Sequence, residues 1–435
     1  MELTNLQHGG KHLSTVPQAP EDLMFGLSAA YRNDTFPHKV DLGVGAYRDQ
    51  AGRPWVLPSL REVRDLAPHQ QAFTDCGKAD RRLRDDPDLN HEYQPIAGTL
   101  EYLAASQRLV FGSHSREIES KQIASLQTLS GTGALHLGFL FLQRFLPDQP
   151  SKRVFVSTPP YANHLPILRH LSLPTGFYPY YDAQSKSLDV ESLLSWINTA
   201  TEGCVVLLQA GGHNPTGIDP SPVQWKKIAE AMKARHQIPF FDSAYQGFAT
   251  GNLDNDAYAI RLFVQQGFDI VMVAQSYAKN MGLYGERAGC LHVVASDSDH
   301  AERISSQLKS LQRVEISTPP AYSARLVTLI LQEHTLFVQW QKDLQTMSSR
   351  IHQMRHRLRD LLEDQATPAR WSHITEQKGM FCFSGLQPDQ VKLLREKFHI
   401  YTTPDGRFSI AGLNEGNVAY VADAIKNVLL LGSKL

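Results

Sequence analysis

The sequence predicts an α/β protein with a mostly parallel sheet, followed by a smaller α+β part, and three observations point there. Short β-rich runs alternate with longer helical patterns through the middle of the chain, the alternation that builds βαβ units. Several of those runs are almost continuously apolar, as strands covered on both faces are. At 435 residues, with 42% apolar and 20% charged residues, the chain has the length of two linked domains and an ordinary globular balance.

Strands are expected at Gln122–Leu129, Arg153–Ser157, Cys204–Gln209, Pro239–Asp242, Asp269–Ser276 and Gly289–Val294, with helices such as Thr132–Leu146 and Pro222–Arg235 between them. Beyond Pro319-Pro320 the texture changes. Leu344, Met347, Ile351, Met354, Leu358 and Leu361 recur at spacings of three and four, one face of a long core-facing helix. His352 and His356 lie four apart on it; with no third ligand evident nearby, they read as a solvated face and not a metal site. A strand at Gly379–Ser384, a helix near Pro388–Lys397, a short strand at Arg407–Ile410 and a closing helix from Glu415 complete the smaller part. Asp75–Asp88 is charge-dense and almost free of apolar residues, and reads as an exposed loop or frayed helix.

Composition excludes several functions. Lys plus Arg is 43 and Asp plus Glu is 44, a net charge of −1, so there is no basic field for nucleic acid and no polybasic footing for a membrane. No apolar run is long enough to span a bilayer. Cys76, Cys204, Cys290 and Cys382 are scattered, without a Cys-x-x-Cys pair; that argues against a disulfide framework or thiolate zinc site and suits a reducing compartment. Met1–Ser14 is polar, with Lys11 its only Lys or Arg. It lacks the layout of a secretory signal and the arginines of a mitochondrial presequence, so the expected address is the cytoplasm.

Gly43-Val44-Gly45 and Gly131-Thr132-Gly133 are similar to dinucleotide fingerprints but lack the third glycine. Ser130-Gly131-Thr132 ends a strand and opens a helix, so its N–H groups and two hydroxyls face outward at a positive helix end, a geometry that binds phosphate. A plain N-cap fits the same residues. Ser276-Tyr277-Ala278-Lys279 follows an apolar strand. Ser-x-x-Lys occurs in serine acyl-transfer enzymes, whose Ser-Asp-Asn and Lys-Thr-Gly partners this chain lacks. The other reading is an imine-forming lysine, desolvated past a buried strand so that its amine attacks a carbonyl. Asp242, at a strand end where α/β sheets place ligand groups, can pair with the protonated nitrogen of a pyridine cofactor; alone it reads as a turn aspartate. Tyr245 can hydrogen-bond a phenolate or simply pack. Asn214-Pro215-Thr216-Gly217 is a turn signature that presents an amide. Arg287 can pair with phosphate and Arg407 can grip a carboxylate bidentately, though each by itself reads as a surface ion pair.

Taken together these residues resemble the aspartate aminotransferase family: class I, fold type I, dependent on pyridoxal 5′-phosphate. The matching stretches are Asp41–Arg48, Asn90–Tyr93, Leu129–Ala134, His213–Gly217, Phe241–Ala249, Ser276–Arg287 and Gly406–Leu413, in unbroken order. The resemblance implies that Lys279 holds the cofactor covalently and then shuttles the α-proton. Asp242 keeps the ring nitrogen protonated, with His164 behind it, and Tyr245 donates to the phenolate oxygen beside Asn214. Ser130, Gly131, Thr132, Ser276 and Arg287 form a phosphate cup, which Tyr93 reaches from the neighbouring subunit. Arg407 binds the α-carboxylate, Arg313 binds the distal carboxylate across a dimer interface, and Gly45 lies beside the substrate. The implied enzyme exchanges the amino group between an acidic amino acid, L-aspartate or an analogue, and 2-oxoglutarate by a ping-pong mechanism. It is a homodimer with shared sites. Residues 1–20 form an N-terminal arm, residues 55–346 a large domain, and residues 21–54 with 347–435 a small one.

Four departures stand out. Tyr161, in Pro159–His164, occupies the place of a tryptophan stacked on the cofactor and moves a hydrogen-bond donor. Gln209 stands where a histidine supports the aspartate network, and His136 where an arginine is common. The loop containing Asp75–Asp88 is long. These leave room for an acidic substrate other than aspartate, such as a sulfinate or sulfonate analogue in specialised metabolism. A β-decarboxylase or β-eliminating lyase would use the same fold. A degenerate, non-enzymatic scaffold is disfavoured because Lys279, Asp242, Tyr245, Arg287 and Arg407 are all present.

Overall fold

The strands are β1 (Val40–Asp41), β2 (Ile123–Leu129), β3 (Val154–Thr158), β4 (Thr175–Pro179), β5 (Tyr181–Asp182), β6 (Ser187–Leu188), β7 (Val205–Gln209), β8 (Ile238–Ser243), β9 (Ile270–Ser276), β10 (Ala288–Ala295), β11 (Phe381–Phe383), β12 (Ile400–Tyr401) and β13 (Arg407–Ser409). The computed structural model describes residues 16–60, 83, 89–147, 152–365 and 370–432. The first fifteen residues of the expected arm, Cys76, and the Asp75–Asp88 segment apart from Leu83 therefore lie outside the described residues.

Among the described residues seven strands form the central sheet, in the order β2-β10-β9-β8-β7-β3-β4. From β9 to β4 every pair is parallel. The strand expected at Gly289–Val294 is β10, and it runs antiparallel to both β2 and β9. Strand β4 had no apolar run to announce it: Thr175-Gly-Phe-Tyr-Pro179 lies at the sheet edge, with Phe177 exposed. The buried strands show why their runs are continuously apolar. Val206, Leu208 and Phe241 join one core, with Trp225, Ile228 and Phe263 from the covering helices. Their neighbours Val205, Leu207 and Phe240 join the opposite core, with Leu135 and Phe139 of the helix Ser130–Phe145. Alternate side chains face opposite sides of a strand, so both sets must be apolar.

The C-terminal part is arranged around the helix His334–Asp364. Leu344, Met347, Ile351, Met354 and Leu358 are buried as the spacing predicts; at its end Leu362 takes the buried position while Leu361 is half-buried. His352 is half-buried and His356 exposed. Among the described residues no His, Cys, Asp or Glu cluster can hold a metal, and no helix is long and apolar enough to cross a membrane. The expected C-terminal elements shorten or shift: β11, a helix over Pro388–Phe398, β13 followed by a 3₁₀ turn at Ile410–Gly412, and a closing helix that starts at Val418. β1 pairs parallel with β12 and β11 pairs antiparallel with β13, so residues 40–41 join the C-terminal part. Arg350, buried on the long helix, fastens both segments. Its Nε donates to the Tyr47 hydroxyl at 2.8 Å, and its Nη1 and Nη2 donate to the carbonyls of Leu413 at 2.7 Å and Ala411 at 2.9 Å.

Candidate active site

The carboxyl ends of β7, β8 and β9 bring Gln209, Asp242 and Ser276 to one edge of the sheet. There they line a cavity of about 150 Å³ with Ser130, Gly131, Thr132, Tyr161, Asn214, Tyr245, Lys279 and Arg287. This is where parallel sheets offer ligands their strand ends and helix N-termini. A larger groove of about 1220 Å³, between Arg108–Glu117 and Val338–Gln345, contains none of them. The chemistry-bearing residues select the smaller space.

Ser130 opens the sixteen-residue helix Ser130–Phe145 in the left-handed region, φ +60°, and so does not act as an N-cap. Arg287 shares that conformation at φ +56°, and the Ser130 N–H donates to the Arg287 carbonyl at 3.0 Å. Two non-glycine residues held there mark a backbone fixed by its surroundings, a frequent sign of a functional site. The Ser130 and Ser276 hydroxyls lie 2.9 Å apart. A Cβ on Gly131 would stand 3.1 Å from Ser276 Cβ, so the backbone here stays bare. The Ser130 and Ser276 hydroxyls, the exposed Thr132, the opening of the helix and the exposed Arg287 cation line the same cavity, a donor set suited to a phosphate group.

Asp242 Oδ2 and His164 Nε2 lie 3.1 Å apart, and His164 is almost fully buried. Tyr161 meets the His164 ring edge-on, centroids 5.1 Å apart. The Tyr245 hydroxyl stays protonated, because burial and then the charges of Tyr161 and Asp242 push its pKa far up. Lys279 Nζ donates to the Gly45 carbonyl and lies 4.9 Å from the centre of the Tyr284 ring. Burial, then the charges of Arg407 and Arg287, bring its pKa down to about 8. Gly45 has no room for a side chain: a Cβ would stand 2.8 Å from Phe381 Cζ and 3.6 Å from Lys279 Nζ.

Arg407 is buried with its guanidinium 4.2 Å from the centre of the Phe381 ring. It donates to Asn214 Oδ1 at 3.2 Å, the Gly43 carbonyl at 3.0 Å and Met24 Sδ at 3.5 Å; among the described residues its Nε has no partner. None of these partners is a carboxylate, so the buried cation has capacity for one. Two expected residues stay apart from the cavity: Tyr93 is 86% exposed, and Arg313 is exposed with Nη1 donating to Ser317 Oγ. Two departures also have other partners than expected. Gln209 bonds the backbone of Asn214 in place of the aspartate network, and His136 pairs with Glu315 at 3.2 Å. Sequence reading missed Phe381, Met24, Tyr284 and Arg350, whose apolar or helical settings look like ordinary core.

These residues fit pyridoxal phosphate. A phosphate-type donor cradle, a histidine-backed carboxylate, a protonated phenol and a lysine with its pKa lowered surround one cavity, with an orphaned guanidinium nitrogen beside it. Fold and site together define a pyridoxal-phosphate-dependent enzyme of the aminotransferase type. Residues 37–425 match the family model described as aminotransferase class I and II. The chain is 44% identical over 416 residues to the cytoplasmic aspartate aminotransferase of Saccharomyces cerevisiae, covering 94% of this chain and 95% of that one. The solved structure of the aspartate aminotransferase from the S. cerevisiae cytoplasm superposes with a TM-score of 0.90 at 43% identity, covering 97% and 99% of the two chains. An aromatic-amino-acid aminotransferase from Burkholderia pseudomallei, covalently bound to pyridoxal phosphate, superposes at 0.89 and 36% identity, covering 96% and 99%. The chain belongs to the aspartate aminotransferase family of class I and II aminotransferases.

Proposed function

We propose that this chain exchanges the amino group between L-aspartate, or a close acidic analogue, and 2-oxoglutarate in a ping-pong cycle. The observation that carries this reading is the buried Arg407 guanidinium, which among the described residues hydrogen-bonds no carboxylate and is joined through Asn214 to the Lys279–Asp242 cavity. The near-full-length likeness to aspartate aminotransferases supports it.

Pyridoxal phosphate, when bound, supplies an electron sink that stabilises negative charge at the substrate Cα. Ser130, Gly131, Thr132, Ser276 and Arg287 would hold its phosphate, and Tyr161 would offer its ring an aromatic face. Asp242, beside His164, would favour a positive charge on the ring nitrogen. Tyr245 would donate a hydrogen bond to the ring oxygen, with Asn214 alongside. Arg407 grips the substrate α-carboxylate and fixes the orientation of the Cα–H bond. Lys279 Nζ, its pKa near operating pH, would take the Cα proton and give it up again within the same half-reaction, leaving the amine free for the next one. Gly45 leaves space for that transfer.

A homodimer completes the site. Arg313 and Tyr93 face outward in one chain; each serves the partner's cavity, Arg313 by binding the distal carboxylate. The chain divides at about Thr346 into a large domain, 55–346, and a small one built from 21–54 and 347–435. The proposed address is the cytoplasm, supported by the name of the yeast relative. Tyr161 favours a second reading, in which an acidic analogue is preferred over aspartate. Borohydride reduction of the holoenzyme followed by peptide mass mapping tests the site: the cofactor is expected on the Lys279 peptide, and attachment to another lysine refutes the assignment.

A further inference from the structure

Gln209 is the last residue of β7, in register with Asp242 on β8. Its side-chain amide nevertheless bonds the backbone of Asn214. Oε1 accepts from the Asn214 N–H at 2.8 Å, and Nε2 donates to the Asn214 carbonyl at 2.9 Å. Both functions of one amide are thus engaged by the backbone of one residue. Gln209 is 7% and Asn214 6% exposed, so no bulk water competes for these bonds. With its backbone held on both sides, Asn214 presents its side chain to the cavity, where Oδ1 accepts from Arg407 Nη1 at 3.2 Å. Asp219 steadies the preceding turn, accepting from the N–H groups of Gly212 at 2.8 Å and His213 at 3.0 Å. Asn214 is the only link in this chain of contacts that touches Arg407.

We propose that Gln209 is a positioning residue for the substrate-carboxylate grip: its bidentate clasp on Asn214 sets the side-chain amide that aligns Arg407. An amide suits this task because it donates and accepts at once and does not titrate. A leucine of similar volume loses both bonds. A glutamate keeps the acceptor but sets a carboxylate oxygen against the Asn214 carbonyl. The inference rests on the aminotransferase reading of the site.

A double-mutant cycle tests it, using the holoenzyme and maleate as an unreactive dicarboxylate probe. Gln209→Leu is expected to weaken maleate binding about tenfold, the worth of one to two hydrogen bonds, with cofactor absorbance retained. Asn214→Ala is expected to weaken it similarly, and Gln209→Leu added to Asn214→Ala to cause no further loss. Gln209→Glu, which tests the same clasp should the leucine variant fail to fold, is expected to lose affinity in the wild-type background and not in Asn214→Ala. A further outcome separates positioning from packing: the KM for aspartate and for 2-oxoglutarate should rise in parallel in Gln209→Leu, because both carry the α-carboxylate. Additive losses, or a Gln209→Leu enzyme that binds maleate like the wild type, overturn the proposal. A wild-type protein that takes up no pyridoxal phosphate refutes the underlying reading instead.

Discussion

The role proposed for Lys279, nucleophile and base, requires an uncharged amine, and its surroundings favour that form. Burial and the charges of Arg407 and Arg287 lower its pKa to about 8. The sign is direct: the free amine gains population as pH rises through about 8, where an exposed lysine would wait until about 10.4. The rate at which apoprotein captures pyridoxal phosphate should therefore climb to about pH 8 and level off, as followed by stopped-flow absorbance; a rate still climbing tenfold per unit at pH 9.5 contradicts it. Replacing Lys279 with alanine should leave the cofactor bound but slow conversion by about a thousandfold or more, since a positioned base contributes factors of that order. Tyr161→Trp should raise aspartate turnover in a steady-state assay if Tyr161 sets specificity; no change or a fall counts against that role.

At the scale of elements, the site depends on close approaches between β10, β9 and the opening of the helix Ser130–Phe145. A Cβ on Gly289 would lie 2.5 Å from the Ser130 carbonyl carbon and 2.7 Å from the Gln275 carbonyl oxygen. Gly289→Ala must displace the Ser130 backbone or the Gln275 carbonyl, so cofactor affinity is expected to fall, measured by equilibrium dialysis; unchanged affinity would show that the site tolerates that displacement. The loop after β8 carries a second test. Asp256 is buried, accepting from the Thr250 hydroxyl at 2.7 Å and the Ala249 N–H at 3.1 Å, and burial raises its pKa to about 7. A raised carboxyl binds more protons folded than unfolded between about pH 4 and pH 7, so its contribution favours folding at low pH and is lost as pH rises through 7. Asp256→Asn should flatten the urea-unfolding midpoint across pH 5 to 8 relative to wild type. The strands were legible where both faces are buried, as in Val205–Gln209, because continuous apolar runs have one explanation. Strand β4 and the antiparallel course of β10 were not: an edge strand needs no apolar run, and direction is set by connections far from the strand itself.

For the whole molecule, the candidate site was legible through ordered motifs, while its wiring was not. Asn214, Lys279 and Arg407 could be marked along the chain, but nothing in Gln209, Phe381 or Arg350 reveals what each touches, since those contacts span up to hundreds of positions and depend on the finished packing. Assembly belongs to this scale too. Arg313 and Lys279 are proposed to serve one site from two chains, so an Arg313→Ala protein and a Lys279→Ala protein, each nearly inactive toward aspartate, should regain activity when co-expressed as mixed dimers. Failure of every mixed preparation to regain activity would place both residues in one subunit's site. The central claim, that this cavity transfers amino groups from aspartate, is tested most directly by titrating the purified holoenzyme with L-aspartate while following cofactor absorbance. Conversion to the pyridoxamine form that 2-oxoglutarate then reverses is the predicted result. A bound cofactor whose spectrum aspartate leaves unchanged would contradict it.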